Sequence, residues 1–159
     1  MRLAQLGYVN LKRFEDLEIE DVPFFFSLAF RMIEDVDVVV FTVAKARGKA
    51  AIDVDTVGEA LGLIQAGARE PAAGAEAVSF VEAPEQAFVN PGMVRDVARA
   101  PLAHDDQAVA LLAKYVNYHL NNLLIAAAPA AQQEDLEKIK VRHLLLHSAA
   151  LPWPLSRAG

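Results

Sequence analysis

One stretch near the C-terminus constrains the fold more than any other part of this 159-residue sequence. Asp105 or Asp106 can cap a helix there, and Pro129 interrupts the pattern near its end. Between these points apolar residues recur at steps of three and four, the spacing of one face of an amphipathic helix. They are Val109, Leu112, Val116, Leu120, Leu123 and Leu124.

A second helix is predicted after a short connection. Glu134, Asp135 and Glu137 come early in it, where negative charge favours a helix N-terminus. Its predicted inner face consists of Leu136, Ile139, Leu146 and Ala150. Because a short connection joins two helices that each have an apolar face, the sequence predicts an antiparallel helical hairpin over about 105–150.

An aromatic helix is predicted in the N-terminal part. Asp21 can cap it, its first turn tolerates Pro23, and it continues to Ile33. It is apolar nearly all round, which is typical of a buried helix. We expect its phenylalanines to lie partly in the core and partly in an oligomer interface, because aromatic residues are enriched in interfaces. The alternatives are the core alone and a ligand pocket. The resulting candidates for core or interface are Phe25, Phe26, Phe30, Leu112, Leu120 and Leu123.

The next segment has the composition of strands. Residues 36–46 are rich in β-branched and aromatic side chains, Arg47-Gly48 offers a turn, and residues 49–54 alternate polar and apolar. These features predict a β-hairpin over about 36–54, forming a small antiparallel sheet. Thr56 and Glu59 have capping-box spacing, which predicts a helix to about Ala68.

The remaining segments complete a single domain over residues 1–159. Residues 1–68 form its strand and helix part with the hairpin, 69–92 a loop-rich connection, and 93–151 a helical part. Asn90 can cap a short helix over about Met93 to Arg99. Strands in the first half and helices in the second predict an α+β fold, in which helices cover the small antiparallel sheet.

Composition bounds the function. Hydrophobic residues make up 54% of the chain, which suggests that a partner covers some apolar surface and favours a homo-oligomer. A net charge of −6 disfavours a nucleic-acid partner. The chain has no cysteine, so disulfides and zinc–thiolate sites are excluded. The sequence has neither an apolar run long enough to cross a bilayer nor the apolar core of a signal peptide. We therefore expect no membrane association and a cytoplasmic location.

The histidines are the main candidates for chemistry. His143 and His147 stand four residues apart on a predicted helix and could share a metal ion, but only leucines lie between them. Histidines at the border of a packed face explain this pair better, so no metal, no cofactor and no catalytic residue is predicted.

The sequence therefore favours a non-catalytic assembly or adaptor subunit. It would act by self-association, or by contact with another protein, through apolar helix faces. The alternative left open is a small ligand-binding protein or metal-dependent enzyme with a pocket between sheet and helices, using His104, His119 or His143.

Overall fold

The computed structural model describes residues 17–66, 88–98 and 100–148, and in these ranges the protein is mainly helical. The helices are α1 (Val22–Ala46), α2 (Val54–Ala66), α3 (Pro91–Val97), α4 (Asp106–Gln133) and α5 (Val141–Ser148). Four two-residue strands accompany them: β1 (Glu18–Ile19), β2 (Ala51–Ile52), β3 (Ala103–His104) and β4 (Lys138–Ile139). Within the described ranges, no helix is both long and apolar enough to span a membrane.

The predicted antiparallel hairpin over 36–54 is wrong, because residues 36–46 belong to α1. Asp21 does cap this helix, since its Oδ1 accepts the Phe24 N–H at 2.9 Å. From there a helical apolar stripe runs without a break past the predicted end at Ile33 to Ala44. Strand propensity depends on context, and burial of this stripe overrides the preference of the β-branched residues. The predicted α+β class is thus replaced by a mainly helical one.

The turn at Arg47-Gly48 ends α1 instead of joining two strands. Gly48 has φ of +66°, a left-handed conformation that glycine adopts without strain. Its N–H donates to the Lys45 carbonyl at 3.1 Å, and the Lys49 N–H donates to the Ala44 carbonyl at 2.9 Å. These bonds satisfy carbonyls that the end of the helix would otherwise leave without a partner.

Helix α2 begins earlier than the capping box at Thr56 predicts. Asp53 is the capping residue, and its Oδ1 accepts the Thr56 N–H at 2.8 Å and the Thr56 hydroxyl at 2.7 Å. Glu59 pairs instead with Arg47 at the end of α1. For α3 the predicted cap at Asn90 is confirmed, because its side chain accepts the Met93 N–H at 2.9 Å, but the helix spans Pro91–Val97 and not about Met93 to Arg99.

The C-terminal helices also differ from their predicted bounds. Helix α4 continues through Pro129 to Gln133. Residues 134–140 hold a turn and β4 where the start of the second helix was predicted, and Asp135 has φ of +56°. Helix α5 therefore begins only at Val141, and Leu146 on its predicted inner face is 68% exposed. Ala150 lies outside the described residues.

Eight of the nine elements in the described residues form the same arrangement twice. The first unit is β1–α1–β2–α2 and the second unit is β3–α4–β4–α5, each a strand, a long helix, a strand and a shorter helix. The strands pair reciprocally and in parallel: β1 with β4, and β2 with β3. Each unit's first strand thus pairs with the other unit's second strand, the pattern expected of two units related by an approximate twofold axis.

Hydrogen bonds at the ends of the long helices repeat between the units. The bonds that Gly48 and Lys49 make to the end of α1 recur 87 positions later, where the Asp135 N–H donates to the Gln132 carbonyl and the Leu136 N–H donates to the Ala131 carbonyl, both at 3.0 Å. Gly48 and Asp135 are also the described residues with positive φ. The local geometry is therefore the same in both units although the side chains differ.

Part of the core lies between the two units. Helix α1 contacts α4 and α5, and α2 contacts α4, so both long helices bury apolar side chains against the other unit. Completely or almost completely buried residues on the two long helices include Phe25, Met32, Ile33, Leu112, Leu120 and Leu124. These apolar side chains are therefore covered within the chain.

Candidate functional site

A carboxylate and an imidazole meet in the interior between the two units. Asp37 of α1 is 3% exposed, and its Oδ1 lies 2.7 Å from Nε2 of His104 in β3. Its Oδ2 accepts the Ala100 N–H at 3.0 Å. Both carboxylate oxygens therefore have donors, which is what a buried carboxylate requires.

The backbone of His104 is held from the other side. Arg95 of α3 donates to the His104 carbonyl at 3.1 Å and forms an ion pair with Asp106 in the first turn of α4. Because a carboxylate only accepts hydrogen bonds, Nε2 of His104 carries the proton that Asp37 accepts. Asp37 thus sets the orientation and the tautomer of the His104 ring, and the contact ties α1 to the start of the second unit.

His143 performs a structural task that the sequence did not reveal. Its Nδ1 accepts the Lys140 N–H at 2.9 Å, so the side chain caps the start of α5 as a glutamate does in a capping box. Its Nε2 donates to Glu134. This bond, followed by the one from Arg142, lowers the pKa of Glu134 below its ordinary value. With both ring nitrogens bonded inside the protein, His143 has no nitrogen left for a metal ion.

His147 does not join His143 in a larger ligand set. It lies half-buried in the last turn of α5. Across 17–66, 88–98 and 100–148, no group of three or more histidine and carboxylate side chains is arranged to hold a metal ion.

His119 lies inside the core on α4. Its residue surface is 5% exposed, and the rings of Tyr115 and Tyr118 meet it edge-on with centroids at 4.6 and 5.2 Å. Burial lowers the pKa of His119 to about 4, because the charged imidazolium is poorly solvated there. The ring is therefore neutral at pH 7 and packs as an aromatic residue.

The apolar candidates divide into buried and half-buried positions. Phe25, Leu112, Leu120 and Leu123 are at most 3% exposed, whereas Phe26 and Phe30 are half-buried at the edge of the core. The large apolar side chains that the described residues expose most are different ones. They are Val38 on α1, Leu63 on α2, and Leu145 and Leu146 on α5.

Sequence reasoning missed two buried polar residues that each join separate segments of the chain. Asn117 of α4 accepts the Val89 N–H at 2.9 Å and donates to the Val89 carbonyl at 2.8 Å, which attaches the segment before α3. Asp37 is the other. Both stand on the buried stripe of a helix, so a polar residue within an apolar period was the available signal. For Asp37 this signal is lost when residues 36–46 are predicted to be a strand, because the helical period then does not apply to them.

No protein-family model and no curated protein matches this sequence.

Proposed function

We propose that this protein is a non-catalytic assembly subunit that self-associates through the exposed apolar face of α5. The observation that carries the proposal is the pair Leu145 and Leu146, which are 52% and 68% exposed and adjacent in one short helix. Neighbouring Leu144 is fully buried, so α5 attaches to the core through one side and presents leucines on another.

The position of α5 supports this proposal. The helix is fastened at its start by His143 and by the ion pair between Arg142 and Glu134, and it packs on α4 and α1. A leucine pair on a fastened helix loses little conformational freedom on binding. Scattered single apolar residues are ordinary on protein surfaces, whereas adjacent ones mark contact sites more often. The net charge of −6 makes copies repel each other, but at physiological ionic strength this repulsion is screened beyond about 8 Å, whereas burial of the leucines acts at contact.

Val38 offers a matched control. It is 65% exposed, nearly the same as Leu146, but the neighbouring exposed positions on α1 are the polar residues Glu34 and Thr42. The proposal therefore predicts that a charge introduced at Val38 leaves association intact.

Light scattering coupled to size-exclusion chromatography tests the proposal over a range of protein concentrations. We expect a mass above the 17.3 kDa of one chain for the wild type and for Val38→Glu, and 17.3 kDa for the double variant Leu145→Glu/Leu146→Glu. Circular dichroism shows that each variant keeps its helices. A wild type of 17.3 kDa at every concentration would contradict self-association, and an oligomer that survives the double substitution would contradict the assigned surface.

A second candidate is a small ligand or metal site at His104, favoured by the fixed orientation that Asp37 gives the ring. Added zinc would then raise the melting temperature of the wild type and of His147→Gln, but not of His104→Gln. An equal response of all three proteins, or no response, would rule this candidate out.

A further inference from the structure

We propose that the surface between the two units is also a surface for binding a second copy of this chain, by exchange of units. In the exchanged dimer, the first unit of each copy pairs with the second unit of the other. This proposal rests on the reciprocal pairing of the units and not on the exposed leucines of α5.

The contacts available to the exchanged dimer are those of the closed chain. At one end the Glu18 N–H donates to the Glu137 carbonyl at 3.0 Å, and Lys140 forms an ion pair with Glu20. At the other end the Asp105 N–H donates to the Ile52 carbonyl at 2.9 Å. Every one of these contacts joins one unit to the other, so each can form between chains without new geometry.

The contact between Asp37 and His104 also makes the first unit depend on the second. A first unit without a second unit would lose the donors of the Asp37 carboxylate and would uncover the part of α1 that packs on α4 and α5. Uncovering a stripe of this kind costs about 25 cal/mol per Å² of apolar surface. An opened chain therefore gains nearly as much from another opened copy as from closing on itself.

The covalent connection does not prevent the exchange. Val89 is fastened to Asn117, so α3 moves with the second unit. Residues 67–87 then join the two units, and a chain of this length can reach at most about 70 Å. That is more than the diameter of a domain of this size, so a connecting chain can pass from one copy to the other.

The absence of cysteine from the sequence permits a specific test. Ala51 and Ala103 are directly paired between β2 and β3, at a spacing that a disulfide can bridge. The full-length variants Ala51→Cys and Ala103→Cys are mixed in denaturant, refolded together at high and low protein concentration, oxidised and separated on a non-reducing gel. The double variant Ala51→Cys/Ala103→Cys, treated alone at low concentration, should close within one chain and report that the register is correct.

We expect a crosslinked dimer from the mixed single variants after refolding at high concentration, and little after refolding at low concentration. The mismatched mixture of Glu18→Cys with Ala103→Cys places cysteines on two first strands, which do not pair, and should give no dimer. The dimer from the matched mixture should persist when Leu145→Glu/Leu146→Glu is present in both chains, which separates this proposal from the α5 surface. No dimer from the matched mixture, equal dimer from the mismatched one, or failure of the double variant to close would overturn the proposal.

Discussion

The burial of His119 makes the stability of this protein depend on pH in a way that can be calculated. Its pKa is about 4 in the folded protein and 6.5 in the ordinary, unfolded case. The folded state therefore binds the proton more weakly than the unfolded state does. Stability is complete above pH 6.5 and is lost as the pH falls from 6.5 towards 4, because protons then bind the unfolded chain preferentially.

The size of this effect follows from the two pKa values. Each unit of difference corresponds to about 1.36 kcal/mol, so the whole loss below pH 4 is about 3 kcal/mol. At pH 5 the unfolded histidine is almost fully protonated and the folded one is not, which makes the loss about 2 kcal/mol. This is a large fraction of the stability of about 5–15 kcal/mol that is typical of natural domains.

Urea unfolding of the wild type and of His119→Gln at pH 7 and pH 5 isolates this contribution. Other titrating groups are common to both proteins, so they cancel in the difference between the two free energies of unfolding. Whatever the substitution costs at pH 7, the wild type should lose about 2 kcal/mol of its advantage at pH 5. A difference between the proteins that stays constant with pH would refute the reasoning, since it would mean that the His119 proton is bound equally in both states.

Three further predictions concern the backbone and its polar partners, each measured by urea unfolding. Gly48→Ala should destabilise the protein by about 1 kcal/mol, because the position has positive φ. Asp135 also has positive φ, so Asp135→Gly should stabilise the protein by a similar amount. Effects of the same sign for the two substitutions would contradict this reasoning. Asn117→Leu should cost about 3 kcal/mol by leaving the buried Val89 N–H and carbonyl without partners, and a neutral result would mean that this segment is not buried against α4. Asn90→Ala should cost about 1 kcal/mol through loss of the α3 cap, whereas Asn90→Asp should cost much less.

Helix α1 shows where reasoning from the sequence failed. The start was predicted from Asp21 and Pro23, because capping depends only on residues within one turn. In the second half the β-branched composition predicts a strand, whereas the apolar periodicity predicts a helix. The buried positions Val36, Val40, Val43 and Ala44 continue the helical spacing of the first half, so the apolar pattern itself indicates the longer helix.

The repeated unit could not be recognised from residue identity. The matched positions Gly48 and Asp135 hold different residues, and so do the capping residues Asp53 and Lys140. What the units share is backbone geometry, which several residue types can satisfy. Ile52 and Ile139 are among the few matched positions with the same residue, and both are fully buried.

The sequence by itself determined the features that depend on near neighbours: the caps at Asp21 and Asn90, the helical stripe of α4, and the turn at Gly48. Tertiary structure alone decided the parallel pairing of strands distant in the chain, and the meeting of Asp37 with His104 across 67 positions. The physical reason is range. A cap or an apolar period depends on residues only a few positions apart. The partner of a two-residue strand or of a buried carboxylate depends instead on how whole helices pack.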